Sequence, residues 1–205
     1  MRYQFVRAIV PLWVLTGITL ANSLPRVNPT NHHPQIVAPG TIPVGLGTSD
    51  WNAIRQEYER NRHAAFAIPG GYQARNFGQQ WLVQFDGRGF EVRPDGAQWT
   101  WGLQLEGYGR PGQLHTISRR PAVSAAKERV SYDWSPGIRE WWINDGRGVE
   151  HGFTVWKRPS AEGDGLVIRL GVRGGLQPRV QEDGRGVRFV DGSGRSVVNY
   201  TGLKV

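Results

Sequence analysis

The sequence predicts an all-β fold, an antiparallel β-sandwich of jelly-roll-like form with one N-terminal helix. Three observations carry this. Apolar and polar residues alternate with period two through most of the chain after Gly71. The tetrapeptide Asp-Gly-Arg-Gly occurs three times, at Asp86, Asp145 and Asp183, and Asp191-Gly192-Ser193-Gly194 nearly repeats it. Asp-Gly between alternating runs is a strong hairpin signal, and type I′ turns with positive φ at both central residues are the expectation. Finally, no long helical stripe competes after residue 71.

The first element is an export signal. Arg2 and Arg7 mark a basic start, and residues 8–21 form an apolar run interrupted by Pro11 and Gly17. The run is shorter than the ~20 residues a membrane-spanning helix needs. Ala21 and Ser23 stand at the −3 and −1 positions of a cleavage site, so residues 1–23 read as a signal peptide cut after Ser23. Membrane contact is then transient, through that peptide alone. The location expected is periplasmic or extracellular. The absence of Cys suits a bacterial export route better than a disulfide-dense eukaryotic one.

Residues 24–47 read as a linker, with Pro25, Pro29, Pro34, Pro39 and Pro43 together with Gly40, Gly45 and Gly47. The β-rich domain is expected over 48–205. Thr48, Ser49 and Asp50 offer caps for a helix near 50–66, with Trp51, Ile54 and Tyr58 on one face. Strands are expected over 72–205. The strongest are at 81–85, 90–93, 99–105, 130–134, 138–143, 149–156, 166–172, 176–180, 187–190 and 196–203.

Composition excludes several function classes. Without Cys there is no thiol nucleophile and no Cys-ligated zinc. The net charge of +8 raises nucleic-acid binding, but loss of Arg2 and Arg7 lowers it by two. The basic residues are Arg apart from Lys127, Lys157 and Lys204. They are dispersed, with Arg119-Arg120 the only Arg-Arg pair. A basic chain without a patch is a weak footprint, so no nucleic-acid partner is expected. No cofactor or metal is expected. His32 and His33 fall in the linker, His63 and His115 stand apart, and Glu150 and His151 point to opposite faces of a strand. Asp86, Asp145 and Asp183 each bring one carboxylate, whereas calcium takes six to eight oxygens.

No catalytic residue is assigned. Glu106, Glu140, Glu150 and Asp133 lie near Trp-bearing strands and keep a glycoside-type hydrolase open as a rival, but no nucleophile-elbow motif is present. A carbohydrate-binding module is the other alternative, since sugars stack on exposed indoles. Adjacent Trp141 and Trp142 point to opposite strand faces, so one of them is expected at the surface beside Arg139. Those three residues form the candidate ligand surface.

Three stretches are similar to a known group. They are WWINDGRGVEHGFTV at 141–155, AQWTWGL at 97–103 ahead of Gly107-Tyr108-Gly109, and GRGVRF at 184–189 continuing to YTGLKV at 200–205. Together they resemble the N-terminal region of bacterial exported proteins with FG-GAP (integrin-like) repeats, over roughly residues 50–205. That group's propeller and calcium sites have no counterpart here, because the sequence holds neither the repeat nor an Asp-x-Asp-x-Asp-Gly loop. The resemblance implies either a standalone version of the region or a truncated reading frame. The function expected is a non-catalytic structural or interaction role at the cell envelope or exterior, with a protein or glycan partner.

Overall fold

The computed structural model describes residues 4–10, 41–135, 137–156 and 165–204. The chain divides into two units, residues 13–59 and residues 1–12 with 60–205. The expected cleavage site at Ala21–Ser23 and the linker up to residue 40 lie outside the described residues.

In the smaller unit the Leu46 N–H donates to the Pro43 carbonyl at 3.1 Å, and the Trp51 N–H donates to Gly47 at 3.0 Å. Helix α1 (Thr48–Asn61) starts there, with Asp50 in its first turn, where a negative charge suits the helix dipole. The helix stops five residues short of the expected end. The reason is that Ala65–Ile68 pairs as a strand, in register from Ala65↔Ala74 to Ile68↔Gly71, around the Pro69-Gly70 turn.

The strands, in chain order, are β1 (Gln4–Val10), β2 (Ala65–Ile68), β3 (Gly71–Asn76), β4 (Trp81–Phe85) and β5 (Gly89–Pro94). Next come β6 (Trp101–Arg110), β7 (Gln113–Thr116), β8 (Ala122–Ala126), β9 (Arg129–Ser135) and β10 (Ile138–Asp145). Last are β11 (Gly148–Val155), β12 (Val167–Gly174), β13 (Gln177–Val180), β14 (Val187–Val190) and β15 (Ser196–Lys204). One sheet runs β13-β14-β15-β1-β11-β10-β9-β8. The other runs β12-β6-β5-β4-β3-β2, with β7 paired to β6. Every pairing is antiparallel. This is the all-β, sandwich-like architecture expected.

The alternation fills the core. Trp81, Val83 and Phe85 of β4, Phe90 and Val92 of β5, and Trp101 and Leu103 of β6 are buried from one sheet. Val130, Tyr132, Trp142, Val149, Phe189, Val198 and Tyr200 meet them from the other. Phe85 and Phe90 lie 5.3 and 5.8 Å from the Trp142 ring, and Trp101 lies 4.9 Å from Phe189. A second cluster holds Leu105, Ile138, Phe153 and Val155. Beyond buried area, each well-placed aromatic pair adds about 0.5–1.5 kcal/mol.

The Asp-Gly tetrapeptides do close hairpins: β4–β5, β10–β11 and β13–β14 turn at them, and β14–β15 turns at Asp191. The turn type differs from expectation. Gly87 and Gly184 have positive φ (77° and 67°), but Arg88, Gly146, Arg147 and Arg185 do not. The Asp side chain organises each turn instead. Its Oδ1 accepts the backbone N–H two residues on, at 3.0 Å for Arg88, 2.8 Å for Arg147, 2.9 Å for Arg185 and 3.0 Å for Ser193. This is an Asx turn, which substitutes a carboxylate for a backbone carbonyl. Arg88 and Arg147 then fold back onto Asp86 and Asp145 at 2.8 and 2.6 Å.

Candidate functional site

The three residues of the expected ligand surface separate in the structure. On β10, Ile138, Glu140, Trp142 and Asn144 are buried on alternate positions, and Trp142 is fully enclosed. Trp141 points the other way, yet it is only 2% exposed. Its register partner is Gly152, whose missing side chain leaves the space that the indole fills; a Cβ there would stand 2.3 Å from the ring. The Arg129 guanidinium covers the ring at 4.4 Å, and the indole N–H donates to Thr154 at 3.2 Å. The expectation that one of the two indoles faces solvent is therefore corrected. Opposite faces were expected and occur, but a glycine on the neighbouring strand and an arginine lid bury the outer face as well.

Arg139 is at the surface. It holds Asp133 through a two-nitrogen contact, Nη2–Oδ2 at 2.9 Å, and lies over the Trp156 ring at 5.1 Å. Trp156 is 43% exposed. The exposed aromatic beside Arg139 is thus Trp156, just past the end of β11, where the Trp156 N–H bonds to Gly137 at 3.1 Å. An indole flanked by a guanidinium and a carboxylate can stack on a sugar or aromatic ring and hydrogen-bond its rim.

A second constellation is internal. Glu140 is fully buried. Its Oε2 accepts the Trp134 indole N–H at 2.8 Å, and its Oε1 lies 2.8 Å from His151 Nε2. His151 Nδ1 lies 3.2 Å from the Tyr200 hydroxyl. Every polar atom of Glu140, and both ring nitrogens of His151, thus have a hydrogen-bond partner inside the protein. Burial, with the Glu140 charge, pushes the Tyr200 hydroxyl well above its ordinary value, so it stays a donor. The His151 ring also stacks on Trp142, 5.1 Å away and 12° from parallel. The hydrogen-bonded chain runs from carboxylate through imidazole to hydroxyl. Each member is buried or nearly so, with Tyr200 6% exposed.

The sequence sets His151 on the strand face opposite Glu150 and Glu140 near Trp-bearing strands, without joining the two. The missed signal was the shared inward face. Glu140 and Trp142 alternate on β10, and His151 is the register partner of Trp142. Three of the other carboxylates pair with arginines: Glu106 with Arg169 at 3.6 Å, Glu150 with Arg147 at 3.7 Å, and Asp86 with Arg88 and Arg173. Among the described residues no cluster of three potential metal ligands occurs.

Comparison with protein-family models, curated proteins and solved structures finds no match to this chain.

Proposed function

We propose that the chain is an exported, non-catalytic β-sandwich domain with a structural or interaction role at the bacterial cell envelope or exterior. The observation that carries this reading is the state of the sheet edges. Three terminal strands expose a large apolar residue: Phe66 on β2 (61%), Val172 on β12 (40%) and Val180 on β13 (71%). Terminal strands offer unpaired backbone groups, and apolar side chains on them favour pairing with another chain. The signal-like start supports export, and the likeness to the N-terminal region of exported FG-GAP proteins agrees with an accessory role. Cell fractionation with N-terminal sequencing tests export. Crosslinking of the intact protein in its cells, compared with a Val180→Lys variant, tests the interaction role. A cytoplasmic protein, or an unchanged crosslinking pattern in the variant, argues against the reading.

A carbohydrate-binding module is the second reading, and Trp156 with Arg139 and Asp133 favours it. Glycan-array binding that Trp156→Ala abolishes supports it. No binding at millimolar ligand rejects it.

A further inference from the structure

The Asp-Gly-Arg-Gly turns do not all treat their arginine alike. At Asp86 and Asp145 the guanidinium folds back onto the aspartate and is neutralised there. The near copy at Asp191 holds Arg195 in the same way. The β13–β14 turn differs. Asp183 accepts the Arg185 backbone N–H at 2.9 Å, but no ion pair forms there. Among the described residues, no carboxylate pairs with Arg179, Arg185 or Arg188. Three unpaired guanidinium groups thus belong to one hairpin. Glu182 and Asp183, in the turn itself, are likewise without an ion pair.

Register places two of the three side by side. Arg179 is the direct partner of Arg188, and Arg188 is the partner of Asn199 on β15. Phe189, Val198 and Tyr200, the neighbours of Arg188 and Asn199 along their strands, are buried in the core. Alternation therefore sets Arg179, Arg188 and Asn199 in one row on the outer face of the sheet. Both arginines are exposed. Directly opposite residues stand about 5 Å apart, and like charges so placed repel one another. The fold carries this repulsion without any gain from a partner inside the protein. Gln177 shares the face of Arg179, whereas exposed Val180 takes the opposite one.

We propose that the outer face of β13, β14 and β15 is a docking surface for an acidic polysaccharide. Arg179 and Arg188 each hold a carboxylate of the polymer, and the Gln177 and Asn199 amides bond its hydroxyls. The proposal rests on the interaction role at the cell exterior and names the partner's chemistry. Charge complementarity selects an anion, because a guanidinium forks onto a carboxylate through two parallel hydrogen bonds. Two guanidinium groups on adjacent strands suit a chain that repeats its carboxylates. A protein partner needs an apolar or aromatic anchor at the centre of its interface. The exposed apolar residue of this hairpin, Val180, is on the other face. Basic clusters of this kind also serve acidic glycans elsewhere.

The test titrates the purified full chain with polygalacturonate, and with dextran, poly-glutamate and single-stranded DNA for comparison. Polygalacturonate is expected to bind most tightly, and less so as salt rises. Arg179→Gln with Arg188→Gln should weaken it about tenfold or more. Arg119→Gln with Arg120→Gln removes the same charge from two other exposed arginines and should leave binding nearly unchanged. Without ligand, the Arg179→Gln, Arg188→Gln protein should melt no lower than the parent, since a repulsion is relieved. No binding at millimolar uronate overturns the docking surface. Equal weakening in the two double variants does so too, since net charge alone would then explain binding. Equal or tighter binding of poly-glutamate or DNA overturns the polysaccharide. A lower melting temperature overturns the assignment by giving the pair a structural role. Cell fractionation reads the exterior location separately, so failed binding by a chain found outside the cell counts against the docking surface alone.

Discussion

The Asn76 side-chain amide donates to the Asn144 side-chain carbonyl at 2.7 Å, and this buried bond joins the two sheets. Asn76 ends β3 and Asn144 lies on β10. Asn76 also donates to the backbone carbonyls of Asp145 at 2.8 Å and Gly148 at 3.2 Å, tying β3 to the β10–β11 hairpin. Asn144 in turn donates to the carbonyls of His63 and Arg75, at 3.0 and 2.9 Å. The four N–H hydrogens of two buried amides thus serve five acceptors, with sharing at Asn76.

Removing Asn144 leaves buried carbonyls without a donor, which costs about 2–3 kcal/mol. Asn144→Ala is expected to lower the urea midpoint accordingly. Asn76→Ala should do the same, and the double variant should lose less than the two effects added. Strict additivity in the denaturation curves would show that the two amides act independently.

The Glu140–His151 pair sets a second expectation. His151→Phe strips the buried carboxylate of one of its two donors and should cost about 3–5 kcal/mol. Adding Glu140→Leu removes the stranded charge and should recover a good part of that loss. Equilibrium unfolding of the three variants measures it. A double variant weaker than His151→Phe alone would mean that the pair serves packing rather than hydrogen bonding to the carboxylate.

Gly152 tests the burial of Trp141. Gly152→Ala forces a Cβ into the indole and should destabilise by about 1–3 kcal/mol. In a Trp141→Ala background the same change should cost almost nothing. Thermal melts of the four proteins in this cycle decide it, and an equal penalty in both backgrounds would count against the contact.

Asp86 carries the pH dependence. Partial burial opposes its charge. Hydrogen bonds from the Arg173 and Arg88 guanidinium groups and the Arg88 backbone N–H, with the Arg173 charge, outweigh this and hold the carboxyl well below the usual carboxylate range. A lowered folded-state value means that the contribution is complete above the unfolded value of ~3.9 and is lost as pH falls through the folded one. Asp86→Asn should therefore be less stable than the parent near neutrality, with the gap closing only below about pH 4. Urea midpoints from pH 7 down to pH 2 provide the measurement. A gap that is constant across that range would refute the assignment.

Much of the architecture follows from period and punctuation. Trp81, Val83 and Phe85 alternate inward because a strand repeats every two residues, and Asp-Gly closes a hairpin because Asp can cap the turn locally. Such effects act within a few residues, so a sequence displays them. The short strands β2, β3, β7 and β8 were less legible. Ala65–Ile68 has little pattern of its own and becomes a strand through its pairing with β3.

The candidate site was legible only in part. The aromatic ring beside Arg139 is that of Trp156 and not of Trp141 or Trp142. The sequence by itself determined the all-β class, the Asp-Gly hairpin positions and the inward face of strands such as β6. Only the tertiary structure decided that Gly152 and Arg129 bury Trp141, that Glu140 meets His151 and Tyr200, and that Asn76 reaches Asn144. Those contacts join residues 11 to 68 positions apart. Their cause is cross-strand register and sheet stacking, which depend on where distant segments settle rather than on what any one segment contains.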